Sequence, residues 1–282
     1  MQEFQCFIMD NVVKKVPHRH MVFCLPKFLR NTFLRNRESL IDLSRMAWET
    51  IKEFMQKTIG QKGVPGASLI IQTHGGLANV NPHIHAVTSD GLFTPSGNFY
   101  LMPRYTEGAK RYFQKLFEQK VIDYCLDKGY TKLDNIIRIL NQRYTGFSVY
   151  IDTVIHFTQY STDKEKKKLE QILRYVSKPF YSIERTTYIE GAKKVLYKGD
   201  YHPGLKRNFE YYSPTDFIAA VTAHIPNRYQ QSSRNQQSLN VVIRRPGLYL
   251  LKRFRPSATL PIAFAGIEWK LIPFCVLTVD MS

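Results

Sequence analysis

The sequence is poor in thiols, in long apolar runs and in acid, and each shortage removes a class of protein. Among 282 residues there are four cysteines, Cys6, Cys24, Cys125 and Cys275, and no two form a CxxC pair. Zinc ribbons, thioredoxin-type motifs and a disulfide framework therefore have no support, and the usage fits a reducing cytoplasm. The apolar stretches ATLPIAFAGI and LIPFCVLTV are separated by Glu268, Trp269 and Lys270. Neither reaches the roughly 18 residues needed to cross a bilayer, so no membrane span is expected. The opening MQEFQCFIMDNVVKK has acidic residues inside its apolar part and no basic leading region, which argues against a secretory signal.

The shortage of acid says most. Asp and Glu number 23 against 40 Lys and Arg, a formal net charge of +17. Such a surplus suits a phosphate-rich partner, because each phosphate neutralised releases condensed counterions. Hydrophobic residues at 44% and aromatics at 13% are enough for a packed core, so a disordered basic tail is excluded.

The pattern along the chain is that of an α+β domain with antiparallel strands. VPHRHMVFCLP (16–26) is extended and ends in proline. Leu40, Leu43, Ala47, Ile51 and Phe54 follow helical spacing, with Asn36 as the expected N-cap and Gly60 as the stop. ASLIIQTH (67–74) and HIHAVT (83–88) are strand-like, and GGLANVNP joins them as a hairpin. A helix is expected over 106–126 with Phe113, Leu116, Phe117 and Val121 inward. Thr131 and Asp134 suggest a capping box for the next helix. FSVYIDTVIHF reads as a strand, DKEKKKLEQILRYVSKP as a basic amphipathic helix, SIERTTYIEGAKKVLY as a hairpin, and SPTDFIAAVTAHIP as a helix with Pro214 in its first turn. From about Gln231 no period is sustained, and an irregular tail is expected.

The sharpest motif is N-P-H-I-H, residues 81–85. Side chains alternate along a strand, so His83 and His85 leave one face, about 7 Å apart along the chain. Two imidazoles so placed can converge on one cation. Gln72 and His74 have matching parity on the preceding strand, and either could supply a third ligand. Two histidines and one polar ligand leave open positions, which suits a hard divalent cation, Mg or Mn, holding a phosphate. His18 and His20 form a second HxH. With proline before them and no partner evident, they read as structural or interfacial.

Several longer stretches carry a resemblance. VPHRHMVFCLPKFLR, AWET (47–50), QTHG (72–75), NPHIHAVTSDG, RYVSKPFYSIERTTY and VLYKGDYHPGLKRNFEYYSPTDFIAAVTAHIPNRY, in this order, resemble the rolling-circle transposases of the insertion-sequence ninety-one type over about residues 11–229. The resemblance implies an antiparallel sheet of HUH-nuclease type with packed helices, His83 and His85 being the metal dyad. It implies a partner, single-stranded DNA at element ends, and a location at the nucleoid in a bacterial cytoplasm. A tyrosine would attack a phosphodiester, leaving a 5′-phosphotyrosine and a free 3′-OH. Arg174, Lys178, Arg185, Lys206 and Arg207 lie in motifs similar to the family's and would contact the DNA backbone.

The sequence departs from that family in three places. Residues 1–10 stand where the family's cysteine-rich zinc module would end, and are read as its remnant before the transposase domain of 11–230. After HIPN the family's tyrosine pair is expected, but RYQQSSRNQQSLN offers Tyr229 alone. Residues 231–282 are read as aberrant: a shifted frame of IEWKLIPFCVLTVDMS permits D-P-L-L-C-P-N-C-G, similar to a cysteine motif of such transposases. A frameshifted, truncated copy is thus expected, with weak or absent formation of a covalent DNA adduct. The alternative readings are a non-catalytic DNA-binding remnant and, on charge and aromatics alone, a basic RNA-binding protein.

Overall fold

Alternating apolar residues build the centre of the protein, a computed structural model that describes residues 8–9, 13–77, 79–177, 181–202, 205–226, 233–236 and 240–241. In chain order the elements are β1 (His18–Cys24), α1 (Lys27–Arg35), α2 (Glu38–Ile59), β2 (Ala67–His74), β3 (Val80–Ser89), β4 (Gly91–Phe93), β5 (Phe99–Leu101), α3 (Glu107–Asp127), α4 (Leu133–Leu140), β6 (Ser148–Ile151), α5 (Asp163–Val176), β7 (Thr186–Ile189), β8 (Lys194–His202), β9 (Arg207–Tyr212), α6 (Pro214–Thr222), β10 (Ser233–Gln236) and β11 (Asn240–Val241). The fold is α+β. Its main sheet has the order β11-β10-β2-β3-β1-β6 with antiparallel neighbours throughout. Among the described residues, no helix is long and apolar enough to cross a membrane.

Strand register divides the sheet into two faces. Phe23 and Ile71 both lie opposite Ile84, while Val22 and Ile70 both lie opposite His85. One face therefore carries Met21, Phe23, Ile71, Ile84 and Ala86, all buried, and the other carries His20, Val22, Ile70, Gln72, His83 and His85. The first face packs on α2 and α3. Phe23 meets Phe113 at 5.7 Å and Phe117 at 5.0 Å between ring centroids, and Phe113 meets Phe54 at 4.7 Å. Burying each such ring contributes on the order of 2–3 kcal/mol.

Local chemistry sets the helix ends. The Thr106 hydroxyl accepts from the Ala109 N–H to open α3, and Gly60, at φ 71°, closes α2 with its N–H on the Gln56 carbonyl. Thr162 and Glu165 form a capping box at the start of α5. That helix covers the second sheet face, where Leu169 and Leu173 pack with Val87, Ile155, Ile8 and Met9.

Beyond α5, β7, β8 and β9 form a three-stranded sheet on which α6 lies through Phe217, 6.0 Å from Tyr197 and 5.7 Å from Tyr212. The Tyr212 hydroxyl donates to the Leu77 carbonyl at 2.6 Å. Gly199 meets the β2–β3 turn so closely that a Cβ would fall 2.3 Å from the Gly76 carbonyl oxygen. Glycine is required there because backbone meets backbone.

Some expectations need correction. Asn36 caps the C-terminal end of α1, and α2 starts at Glu38 after Arg37: PKFLR and its neighbours form a helix of their own. The capping box expected at Thr131 is not formed, since α4 starts after Lys132 without a side-chain cap. FSVYIDTVIHF yields only the short β6 and an isolated bridge between His18 and Ile155. SIERTTYIEGAKKVLY does form a hairpin, to which β9 adds a third strand. Within the stretch read as an irregular tail, β10 pairs with Ala67–Ile70 of β2. Polar residues can do this because a sheet edge offers backbone bonds whatever the side chains. Residues 1–7, 10–12 and 242–282 lie outside the described residues, and with them the proposed frameshift.

One ion pair ties the end of β3 to the start of β1. Arg19 donates from Nε and Nη2 to the two carboxylate oxygens of Asp90 at 2.9 and 2.8 Å, and from Nη1 to the Asp152 carbonyl at 2.7 Å. Its guanidinium lies 4.4 Å from the Tyr105 ring centroid. Side-chain exposure is 12% for Arg19 and 4% for Asp90, so removing one partner strands a charge. Asp90→Ala should cost about 3–5 kcal/mol in urea unfolding, and Arg19→Met with Asp90→Leu should recover most of it. A loss under about 1 kcal/mol for Asp90→Ala would show that the pair does not hold this junction.

Candidate active site

The second face of the main sheet gathers histidines because three strands contribute to it. Pro82 leads into His83 and has no N–H to give a ladder. At its level the β2–β3 pairing shifts register, between Gln72 and His74. His83 and His85 then resume alternation and point to the same side, 8% and 2% exposed. Their Nε2 atoms stand 3.1 Å apart. His83 Nδ1 lies 2.6 Å from the Asn81 carbonyl oxygen, and His85 Nδ1 lies 2.9 Å from His20 Nε2. The expected alternation of His83 and His85 is thus found.

Gln72 sits directly opposite His83, and its amide nitrogen donates to the Val176 carbonyl at 2.8 Å. Its Oε1 is left as the ligand-type atom. His74, past the register shift, instead meets the His224 ring with centroids 5.8 Å apart, and His224 Nδ1 lies 3.0 Å from the Thr73 hydroxyl. Tyr175, one residue from the end of α5, meets His85 with the two rings nearly perpendicular and their centroids 5.7 Å apart.

Burial governs the electrostatics. Desolvation, with His83, His20 and His74 nearby, pushes the His85 imidazolium down to about 2. It pushes His74 down to about 4, helped by His224 and His83, and lowers His83, where Arg30 adds its charge against the Asn81 carbonyl. His20 is lowered by burial against the pull of Asp152. The cluster is therefore neutral near pH 7, the state in which imidazole lone pairs bind metals.

Among the described residues, no three His, Cys, Asp or Glu side chains converge to hold a metal. The set at hand is two imidazoles and one carboxamide. Neighbouring ligands of an octahedral ion at about 2.1 Å stand about 3 Å apart, which the two Nε2 atoms match. Because a carbonyl oxygen only accepts, His83 carries its proton on Nδ1 and presents a lone pair at Nε2. These donors fit a divalent cation.

Of the cations expected to touch DNA, Arg174 is exposed on α5 beside Tyr175, and Lys206 is exposed in the β8–β9 turn. Arg185 and Arg207 pair with Asp200 and Glu210, which reduces what they offer a phosphate. Lys178 and Tyr229 lie outside the described residues. Three residues went unnoticed as a site. His20 reads as structural or interfacial in the sequence because no partner is evident there; the structure gives it one, His85. Tyr175 stood in the RYVSKP motif, and Arg30 in PKFLR. Matching HxH motifs in VPHRHM and NPHIHA could have pointed to His20. Nothing in one-dimensional spacing brings Arg30, whose Nε donates to the Leu25 carbonyl, towards His83.

The family model Y2_Tnp, described as "Putative transposase", matches residues 66–240; the chain belongs to this transposase family. That match includes β10. The transposase for insertion sequence element IS801 of Pseudomonas savastanoi pv. phaseolicola is 24% identical over 228 residues, 79% of this chain and 54% of that protein. The chain thus spans about half the length of that curated relative. No solved structure matches.

The lowered imidazoles set a pH dependence. Above about pH 6.5 they are neutral folded or unfolded, so stability does not depend on them. Below it the unfolded chain takes up protons that the buried His18 and His74, both pushed down to about 4, and His85 refuse. The metal-free melting temperature should fall as pH drops from 7 to 5 in a thermal scan. A flat profile over that range would contradict neutral buried histidines.

Proposed function

We propose that this chain is the nuclease portion of an insertion-sequence transposase of the ninety-one, HUH type, which nicks and joins single-stranded DNA through Tyr175. The observation carrying this is the contact of Tyr175 with His85 beside the paired Nε2 atoms of His83 and His85. His83 and His85, with Oε1 of Gln72, would hold Mg or Mn. When bound, such an ion would polarise the scissile phosphate and neutralise its developing charge.

The protein's own groups do the rest. The Tyr175 oxygen loses its proton as it bonds to phosphorus, the bond to the 3′ oxygen breaks, and that oxygen gains a proton. A 5′-phosphotyrosine and a free 3′-OH result, one phosphodiester exchanged for another, so rejoining needs no outside energy source. Arg30, close enough to weaken the proton affinity of His83, and Arg174 supply positive charge for the strand. The Val176 carbonyl holds the Gln72 amide, which ties the ligand-bearing strand to the helix that carries the tyrosine. Weak or absent adduct formation is expected where the tyrosine pair after HIPN is missing; Tyr175 as nucleophile supplies a phenol without that pair.

Incubation with labelled single-stranded DNA and Mn²⁺, resolved on a denaturing gel, tests this. A covalent adduct should form, vanish in Tyr175→Phe and in His83→Ala, and persist in Tyr229→Phe. An adduct surviving in Tyr175→Phe would refute the assignment. Binding of single strands by Tyr175→Phe should weaken with salt, log Kd rising by about 0.7 per phosphate neutralised for each unit of log salt, and Arg30→Ala should lower that slope. A salt-independent affinity would contradict a phosphate-backbone interface.

A further inference from the structure

His85 has two ways to satisfy its neighbours on the histidine chain. A neutral imidazole has one N–H and one lone pair. The Asn81 carbonyl keeps the His83 proton on Nδ1, so a lone pair at His83 Nε2 faces His85 Nε2. In one arrangement His85 carries its proton on Nε2 and gives it to His83, while Nδ1 accepts from His20. In the other, His85 carries its proton on Nδ1 and donates to His20 Nε2. Two Nε2 lone pairs then face each other, an arrangement stable only with a cation between them.

The choice between them lies with His20. Its ring and that of His85 are 12° from parallel with centroids 5.2 Å apart, and with the nitrogens at 2.9 Å this is the geometry of an in-line hydrogen bond between nearly coplanar rings. His20 is 6% exposed and is seated by register: it lies opposite Val87, and Val22 lies opposite His85. It thus meets His85 across the diagonal of the second face.

We propose that His20 is a positioning residue, whose Nε2 accepts from Nδ1–H of His85 and so holds His85 in the tautomer that offers Nε2 to a divalent cation. The proposal rests on the reading that His83 and His85 hold that cation. Partners behind a ligating histidine characteristically change metal affinity by about 10–100-fold. Gln and Met both approximate the volume of His, but only Gln can accept a hydrogen bond through its side-chain oxygen.

Titration of the full chain with Mn²⁺, followed by calorimetry and by the free-Mn²⁺ resonance signal, tests this. In the wild type, binding should be abolished by His83→Ala. His20→Met should raise Kd about 10–100-fold, His20→Gln should recover most of that loss, and the metal-free melting temperatures of the two should be close. His20→Met binding as tightly as the wild type would overturn the proposal. So would equal weakening in both variants with an equal fall in melting temperature, which would mark His20 as packing only. If His20→Met fails to fold, ¹⁵N histidine shifts of the wild type with Mg²⁺ decide. They should report His85 protonated at Nδ1, and protonation at Nε2 would overturn the assignment. Wild-type Mn²⁺ binding that His83→Ala leaves unchanged would remove the cation reading itself, and this proposal with it.

Discussion

The alternation of β3 is the constraint on which the rest depends. His83 and His85 can share a face only because Ile84 between them enters the core on the other side. The core side is crowded with Phe23, Phe113 and Phe117. A one-residue slip of β3 would drive both imidazoles into that aromatic layer and expose Ile84. The energy of the hydrophobic core therefore holds the polar face in register, and the site needs no stabilising interaction of its own to be placed correctly. The Arg19–Asp90 pair secures the same strand where it leaves the sheet.

The second face is neither a surface nor a core. Helix α5 covers part of it, with Leu169 and Leu173 packed on Val87 and Ile155, while the imidazoles are themselves buried. The end of the same helix delivers Tyr175 and the Val176 carbonyl. One amphipathic helix thus anchors Gln72 and brings a phenol to the histidines. Its capping box and its leucines set where that helix end lies.

Much of this architecture was legible in one dimension. Periodicity marked the main strands and long helices, Gly60 and Pro214 marked ends that the structure keeps, and the HxH spacing marked the paired imidazoles. What escaped were features whose cause is non-local. The polar segment 233–236 has no strand pattern, yet pairs with the edge of β2 through its backbone. Asn36 has the chemistry of an N-cap, but a preceding helix uses it as its end.

The sequence by itself determined that this is a basic, cysteine-poor α+β protein with His83 and His85 on one strand face, because charge and a period of two are properties of the chain. Only the tertiary structure decided what those histidines meet. His20 is 65 residues from His85 and becomes its partner through the antiparallel register of β1 and β3. Tyr175 arrives from a helix packed over the sheet. Neither contact follows from spacing, since strand order and helix docking are set by how the whole core buries its apolar faces.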